Sequence, residues 1–462
     1  ISHYIADEGS KNEGIINLIS DDNGSDIDLS FISTSIDLET SLKALPDTFD
    51  EYNLGEINLE IAPKTAGFAV ITGGAGEDNI KGSKGNDIID GSLGDDILDG
   101  YIGSDEITGG SGDDHVIISN GSDILTDLHS GDSFFVANDA SLVAPNVVDF
   151  RASNQTINYG TVTITSSDLG SIIDLSQSSG KGYNIVGGSE VDKITGSNGD
   201  DIIDGGLGND LINGGSGNDH IIVSSGLDQI KDLETGDSFK IYDGATLVST
   251  DISNFIANDF STNEGRADFS GRDEGTIIDL SKIESGLFTI SGGNSDDQLF
   301  GSGGNDLIIG GAGNDTIFNS DGNDIIEGGA GKDTFNVVAG HSLIKDLATG
   351  DIVKISNSAM AEADRVIHFV ATNASIVAEY FKVSSAVDGS IIDLSAIQQG
   401  RFEINGDNGT DNLTGGSFVD SISGGGGDDL LYGFDGADSL NGNDGNDYLD
   451  GGKGDDELAG GA

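Results

Sequence analysis

Residues 73–117 read GGAGEDNIK, GSKGNDIID, GSLGDDILD, GYIGSDEIT and GGSGDDHVI, five consecutive units of nine residues. Each unit opens on a glycine pair or near-pair, then places Gly fourth and Asp sixth. A large aliphatic residue falls eighth: Ile80, Ile89, Leu98, Ile107 and Val116. Glycines permit a six-residue turn with positive φ and let backbone carbonyls approach without obstruction by Cβ. The sixth-place Asp adds a hard anionic oxygen beside those carbonyls. The next three residues suit a short strand whose central aliphatic side chain points inward. Two such half-turns make one coil, so strands stack in parallel and turns stack above turns. Oxygen cages then form between successive turns on the same edge, and a hard cation preferring six to eight oxygens fits them.

This spacing matches the signature G-G-x-G-x-D-x-U-x. On these residues the chain resembles the repeats-in-toxin (RTX), or haemolysin-type, calcium-binding proteins. The resemblance implies a parallel β-roll, several bound Ca2+ ions, and secretion as an unfolded chain through a type I channel. Five units in register carry it, and the motif returns in three further blocks starting at Gly187, Gly292 and Gly406.

Composition bounds the rest. The 462 residues carry 81 acidic and 20 basic side chains, a formal charge of −61, with 73 Gly, 3 Pro and neither Cys nor Trp. A compact fold with that imbalance repels itself unless cations are bound. Low hydrophobicity with high charge describes a disordered chain, and that suits the metal-free state. Absence of Cys excludes a disulfide framework and thiolate metal sites. Basic residues are few and scattered, which excludes nucleic-acid binding. No apolar stretch approaches a membrane-spanning helix, so no membrane insertion is expected. The chain starts at Ile1 without Met or a signal peptide and stops at Ala462 in a roll turn, which reads as a fragment or processed form, or as an end covered by another subunit.

Along the chain, residues 1–54 lack the motif. Alternating runs at Ile15–Leu18 and Ile27–Leu29 suggest strands, and Glu39–Leu45 suggests a short helix before Pro46. This region reads as a cap or the tail of a preceding unit. A lead-in, Gly55-Glu56-Ile57-Asn58-Leu59-Glu60, then recurs as Gly170–Ser176, Gly275–Ser281 and Gly389–Ser395. Each stands seventeen or eighteen residues before its block, about one coil of two nine-residue halves. A closing element also repeats: Asp127–Phe134, Asp232–Phe239 and Asp346–Val353. In it Asp132, Asp237 and Asp351 close a turn between the last two strands, or else add a calcium ligand. The larger repeat divides the chain into units 55–169, 170–274, 275–388 and 389–462. Spacers of about thirty residues, rich in Val, Ile, Phe and Thr, join the blocks as wider coils or small sandwich-like inserts.

The candidate metal residues are twenty sixth-place aspartates. The first block supplies Asp78, Asp87, Asp96, Asp105 and Asp114, and the second Asp192, Asp201, Asp210 and Asp219. The third supplies Asp297, Asp306, Asp315, Asp324 and Asp333. The last supplies Asp411, Asp420, Asp429, Asp438, Asp447 and Asp456. A cation needs two facing turns, so about a dozen ions are expected. Glu190, Ser295 and Phe418 replace the fourth-place Gly, which predicts weak turns there. Asp123 and Asp228 sit in degenerate units and are left outside the set.

No catalytic constellation is present in the sequence. The six histidines include no i, i+4 pair for a zinc-protease motif. No G-x-S-x-G elbow appears, which removes the lipase relatives of the resembled family. Thr161–Thr165 would suit an ice-binding ladder only if it recurred; alone it reads as an exposed strand. The expectation is an elongated all-β protein, a β-roll or β-solenoid with calcium-free β spacers, that is not an enzyme. It folds on calcium outside the cell and serves as a surface-layer or adhesin-like component that self-assembles. A calcium-folded carrier of an enzyme or toxin, or a glycan- or ice-binding module, is the alternative.

Overall fold

A computed structural model describes residues 69–386 and 389–462, together with the strands His3–Ile5, Ile16–Ile19, Asp26–Asp28 and Ile57–Glu60. The helix expected at Glu39–Leu45 lies outside the described residues. Among the described residues all regular structure is β-strand, and the strands pair in parallel. The chain divides into two compact units, Ile1–Ile230 and Lys231–Ala462, and each is a parallel β-solenoid.

The first block shows why the nine-residue unit folds as it does. Strands Asp78–Lys81 and Ile97–Asp99 pair in one sheet, with Ile80 opposite Leu98. Strands Ala69–Thr72, Ile88–Asp90 and Glu106–Thr108 pair in the other, aligning Ile71, Ile89 and Ile107. Every step is 18 residues, two units. The eighth-place residues Ile89, Leu98, Ile107 and Val116 are completely buried between the sheets. Exposed Ile88 and Ile97 point the other way, the alternation that a strand imposes.

The spacers continue the solenoid as wider coils, and no sandwich-like insert forms among the described residues. Strand partners there lie 20 to 23 residues apart, as in Ser141 with Thr161 and Asp149 with Ile172. Each spacer coil carries three strands instead of two. In the first unit they are Ser133–Val136, Ser141–Val147 and Asp149–Arg151. The third strand founds a new sheet, while the sheet that includes Ile57–Glu60 ends at Ser179–Gly180. In the second unit a sheet starting at Asn254–Ile256 likewise ends at Ile376–Val377, after another has begun at His368–Val370. The wider interior needs larger side chains. Phe134, Phe150 and Tyr183 fill it in the first unit; Phe239, Phe255, Phe269 and Phe288 fill it in the second, with ring centroids 5.6 to 6.3 Å apart. The two-strand rolls are filled mainly by Ile and Leu.

The lead-ins belong to these wider coils. Ile172, Ile277 and Ile391 stand opposite Lys193, Gln298 and Asn412, a step of 21 residues that corrects the expected two nine-residue halves. The second lead-in residue explains their sequence. The hydroxyls of Ser171, Thr276 and Ser390 donate to the carbonyls of Val147, Ile252 and Val366 (2.7, 3.2 and 2.6 Å), pinning the corner where the third strand departs.

That corner is a β-bulge containing a left-handed residue: Asn146 (φ 60°), Asp251 (φ 63°) and Arg365 (φ 59°). Here Cβ approaches the following carbonyl at a cost of about 1–2 kcal/mol, which the short polar side chains of Asn and Asp offset by local hydrogen bonding and a long side chain does not. Arg365 is exposed, so nothing in its packing requires it. Arg365→Asn should therefore raise stability by about 1 kcal/mol and Asn146→Arg lower it by about as much. Thermal unfolding at saturating calcium reads both, and no change in either would refute strain at the corner.

Candidate metal centre

The turns of each roll stack in two columns, one on each edge. In the first block the turns ending at Asp78, Asp96 and Asp114 form one column, and those ending at Asp87, Asp105 and Asp123 the other. Within a column, a sixth-place carboxylate uses Oδ1 to accept the backbone N–H of its counterpart 18 residues earlier; at the column starts Asp87, Asp201 and Asp420 accept instead from Ala69, Tyr183 and Phe402. Asp78 N–H donates to Asp96 (2.7 Å), Asp96 to Asp114 (2.8 Å), Asp87 to Asp105 (2.7 Å) and Asp105 to Asp123 (2.9 Å). The same ladder joins Asp297, Asp315 and Asp333, and later Asp420, Asp438 and Asp456. The sixth-place aspartates lie at the ends of the turns, Asp78 and Asp324 already within strands; all but Asp447 and Asp456 are buried, with at most 3% of their surface exposed.

The second carboxylate oxygen is the unusual feature. In the first unit the Oδ2 atoms of Asp96, Asp105, Asp114, Asp123, Asp210 and Asp228 are buried and accept no hydrogen bond. In the second unit the same holds for Asp297, Asp315, Asp429, Asp438 and Asp447. A buried carboxylate oxygen without a donor costs several kcal/mol unless a positive charge faces it. These atoms sit beside main-chain carbonyls. A methyl group on Gly91 would lie 2.3 Å from Asp96 Oδ2 and 2.5 Å from the carbonyl oxygen of Gly109. One on Gly310 would lie 2.4 Å from both Asp315 Oδ2 and the carbonyl oxygen of Gly328. The first-place glycine is thus required by the oxygens that converge on it. The fourth-place glycine is required by conformation as well: Gly94 has φ +125° and packs on the carbonyl of Gly76.

Carboxylate and carbonyl oxygens without nitrogen or sulfur are the donor set of a hard divalent cation. Among the described residues no three His, Cys, Asp or Glu side chains converge as a metal site. That agrees with the turns, which supply one or two carboxylates each and main-chain oxygens for the rest.

Several functional residues were not legible beforehand. Asp123 and Asp228, set aside as degenerate, continue the ladder and have unpartnered Oδ2 atoms, which corrects their exclusion. Their units keep the fourth-place Gly121 and Gly226, the signal that marks them. A second ladder runs through the fifth place. Asp95 Oδ1 accepts the N–H of Asp113 (2.8 Å), and Asp428 Oδ1 that of Asn446 (2.8 Å), so the recurrent Asn or Asp there is structural. Where a column starts, a second-place serine replaces the missing neighbour. The hydroxyls of Ser83, Ser197 and Ser302 donate to Asp87, Asp201 and Asp306 (2.9, 3.1 and 3.1 Å). Where a column ends, Asp127 and Asp346 accept the N–H groups of Gly109–Gly110 and Gly328–Gly329. Asp132 and Asp351 spend Oδ2 on the N–H of His129 and Ala348 (2.8 Å each), which is the turn-closing reading. At the second place of their units, where the pattern has glycine, Ser92, Tyr101, Phe434 and Asn443 adopt φ 77°, 71°, 77° and 67°.

Burial strips water from these carboxylates and pushes their pKa values up. Asp96 and Asp105 rise to about 8, and Asp123, Asp228 and Asp420 to about 7. Repulsion from the neighbouring carboxylates adds to the rise, Asp114 and Asp78 acting on Asp96. Without a cation the folded state holds more protons than the unfolded chain, whose aspartates titrate near 3.8. Stability of the metal-free fold is therefore greatest below about pH 4 and falls as the pH rises towards 8. Chelated protein should show more β-structure by circular dichroism at pH 4–5 than at pH 8, and calcium uptake at pH 7 should release protons. Equal spectra at the two pH values, or uptake without proton release, would contradict the buried-carboxylate geometry.

A family model described as RTX calcium-binding nonapeptide repeat (4 copies) matches residues 65–98, 72–106, 90–125, 185–230, 289–317, 320–344, 405–433 and 432–462. Those segments contain the turns just described and leave the three-strand spacer coils largely unmatched. No curated protein matches the chain. The orphaned Oδ2 atoms, the carbonyls beside them and the matched repeats agree on one ion. The chain belongs to the RTX calcium-binding repeat proteins, and its β-rolls bind multiple calcium ions.

Proposed function

We propose that the protein is a secreted structural or surface component, of the surface-layer or adhesin kind, whose rolls fold on binding calcium outside the cell and then assemble with one another. The observation that carries this reading is the buried Oδ2 that faces no donor in turn after turn. Sixth-place aspartates, joined by Asp123 and Asp228, hold the ions together with the carbonyls that converge on the first-place glycines. Metal-free, the carboxylates repel or must be protonated, and three-residue strands bury little to offset that. The chain would stay unfolded where calcium is scarce and fold where it is plentiful.

Two features support a structural role and self-assembly. Exposed aliphatic side chains recur along the outer faces of the rolls, among them Ile88 and Ile97 in the first unit and Ile325 and Leu430 in the second. Such rows suit lateral packing between copies. The turns themselves are occupied by metal-binding carboxylates, so the repeats are scaffold rather than catalyst.

Calcium added to chelated protein should convert a coil-like circular dichroism spectrum to a β spectrum. Asp96→Ala and Asp429→Ala, which remove unpartnered carboxylates, should raise the calcium midpoint by at least about tenfold. Asp201→Ala should raise it less, because Ser197 already satisfies that carboxylate. Equal midpoints would refute the assignment of ligands. Electron microscopy with and without calcium tests assembly: sheets or filaments appearing with calcium support it, and monodisperse particles in both conditions rule it out.

A further inference from the structure

The third roll departs from the first two at the end of one column. Its fourth unit, NSDGNDIIE, begins with Asn319 where the pattern has glycine, and its degenerate last unit has Ser342 where the first and second blocks have Asp123 and Asp228. The two departures lie 23 residues apart and meet in space. Asn319 is buried, and its Nδ2 donates to Asp324 Oδ2 (2.5 Å) and to Ser342 Oγ (2.6 Å). The corresponding place in the second roll is bounded by Gly205, Asp210 and Asp228. A methyl on Gly205 would lie 2.7 Å from Asp210 Oδ2 and 3.0 Å from Asp228 Oδ2, and both of those oxygens lack a donor. In the first roll Gly100 and Asp105 stand at the corresponding place, Asp123 is the next rung of the ladder, and the Oδ2 atoms of both aspartates are again orphaned.

We infer that Asn319 is a built-in substitute for a calcium ion: its amide nitrogen fills the last cation place of one column of the third roll, and its amide oxygen serves the neighbouring place. This rests on the reading that the orphaned carboxylates hold calcium. Where the first two rolls present two carboxylates to a cation, the third presents one carboxylate and a neutral hydroxyl to two N–H bonds. The charge to be balanced is halved, and hydrogen bonds suffice for what remains.

The other end of the amide points the opposite way along the column. Asn319 Oδ1 is buried without a donor and faces the turn of Gly301 and Asp306. A methyl on Gly301 would lie 3.0 Å from Asn319 Oδ1 and 3.0 Å from Asp306 Oδ2. At Gly82 the same construction meets the carbonyl oxygen of Gly100 and Asp87 Oδ2. The side-chain oxygen of Asn319 therefore stands where a main-chain carbonyl stands elsewhere, as a donor to the cation place at Asp306. The reverse amide orientation would set an oxygen against the Asp324 carboxylate, so the column fixes which end points where.

The test is the number of calcium ions per full-length chain at saturation, measured by elemental analysis after equilibrium dialysis. Asn319→Gly with Ser342→Asp should restore the cation place and add one ion. Gly205→Asn with Asp228→Ser should install the amide in the second roll and remove one. Circular dichroism at saturating calcium establishes that each variant is folded, and either folded variant decides the question alone. A count equal to wild type in a folded variant overturns the substitution. Wild-type protein that bound no calcium would sink the parent reading instead, so the two failures are distinguishable.

Discussion

One electrostatic constraint governs the rolls: carboxylates recur buried in the turns, and in many of them only one of the two oxygens is supplied with hydrogen. Oδ1 belongs to the fold, because it accepts the N–H of the turn below and sets the 18-residue step. Oδ2, where no donor meets it, is left free for a cation. The division makes calcium part of the turn stack rather than a ligand added to a finished protein, since removing it leaves a column of like charges in a medium that screens them poorly. It also gives the columns direction. In the first three rolls one column starts on a serine hydroxyl, at Ser83, Ser197 or Ser302, and in the first and third the opposite column is closed by an aspartate that accepts two glycine N–H groups, at Asp127 or Asp346.

The spacers meet a different constraint, the width of the coil. Adding a third strand lengthens each turn to 20–23 residues and opens an interior that aliphatic side chains cannot fill. Aromatic residues occupy it, and the corner that makes room for the extra strand is held by a left-handed residue and a hydroxyl from the following lead-in. The same device occurs at Asn146, Asp251 and Arg365 with the same spacings, so the spacers are as regular as the rolls although their sequences look less so.

What could be read in advance follows from the range over which each signal acts. Glycine, aspartate and aliphatic places repeat every nine residues, and their roles within one turn and one strand are local. The inward Ile and Leu stack and the acidic turns were legible for that reason. The fifth-place ladder and the closing aspartates act on residues 17 or 18 positions away, where a single unit carries no sign of its partner. Asp123 and Asp228 were passed over because their units lack the opening glycines, yet the ladder needs only the sixth-place carboxylate and the turn that aims it. The 21-residue lead-in coil escaped notice because the count ran to the first glycine of the block, and not to the strand that pairs with it.

Rolls and spacers therefore divide the work of folding between two kinds of burial. In the spacer coils the buried groups are phenyl rings and hydroxyls, and a hydroxyl is satisfied by one neutral hydrogen bond of the kind Ser171 makes to Val147. In the rolls each nine-residue unit buries one aliphatic side chain and one charge, and the charge outweighs the aliphatic unless an ion meets it. Alternation along the chain sets each calcium-dependent roll beside coils whose strands already present the parallel edge on which its first turn stacks, as Asp149–Arg151 and Ile172–Asp174 do for Lys193–Thr195. The buried charges are thereby confined to the turns, while the spacers supply the edges on which the rolls begin.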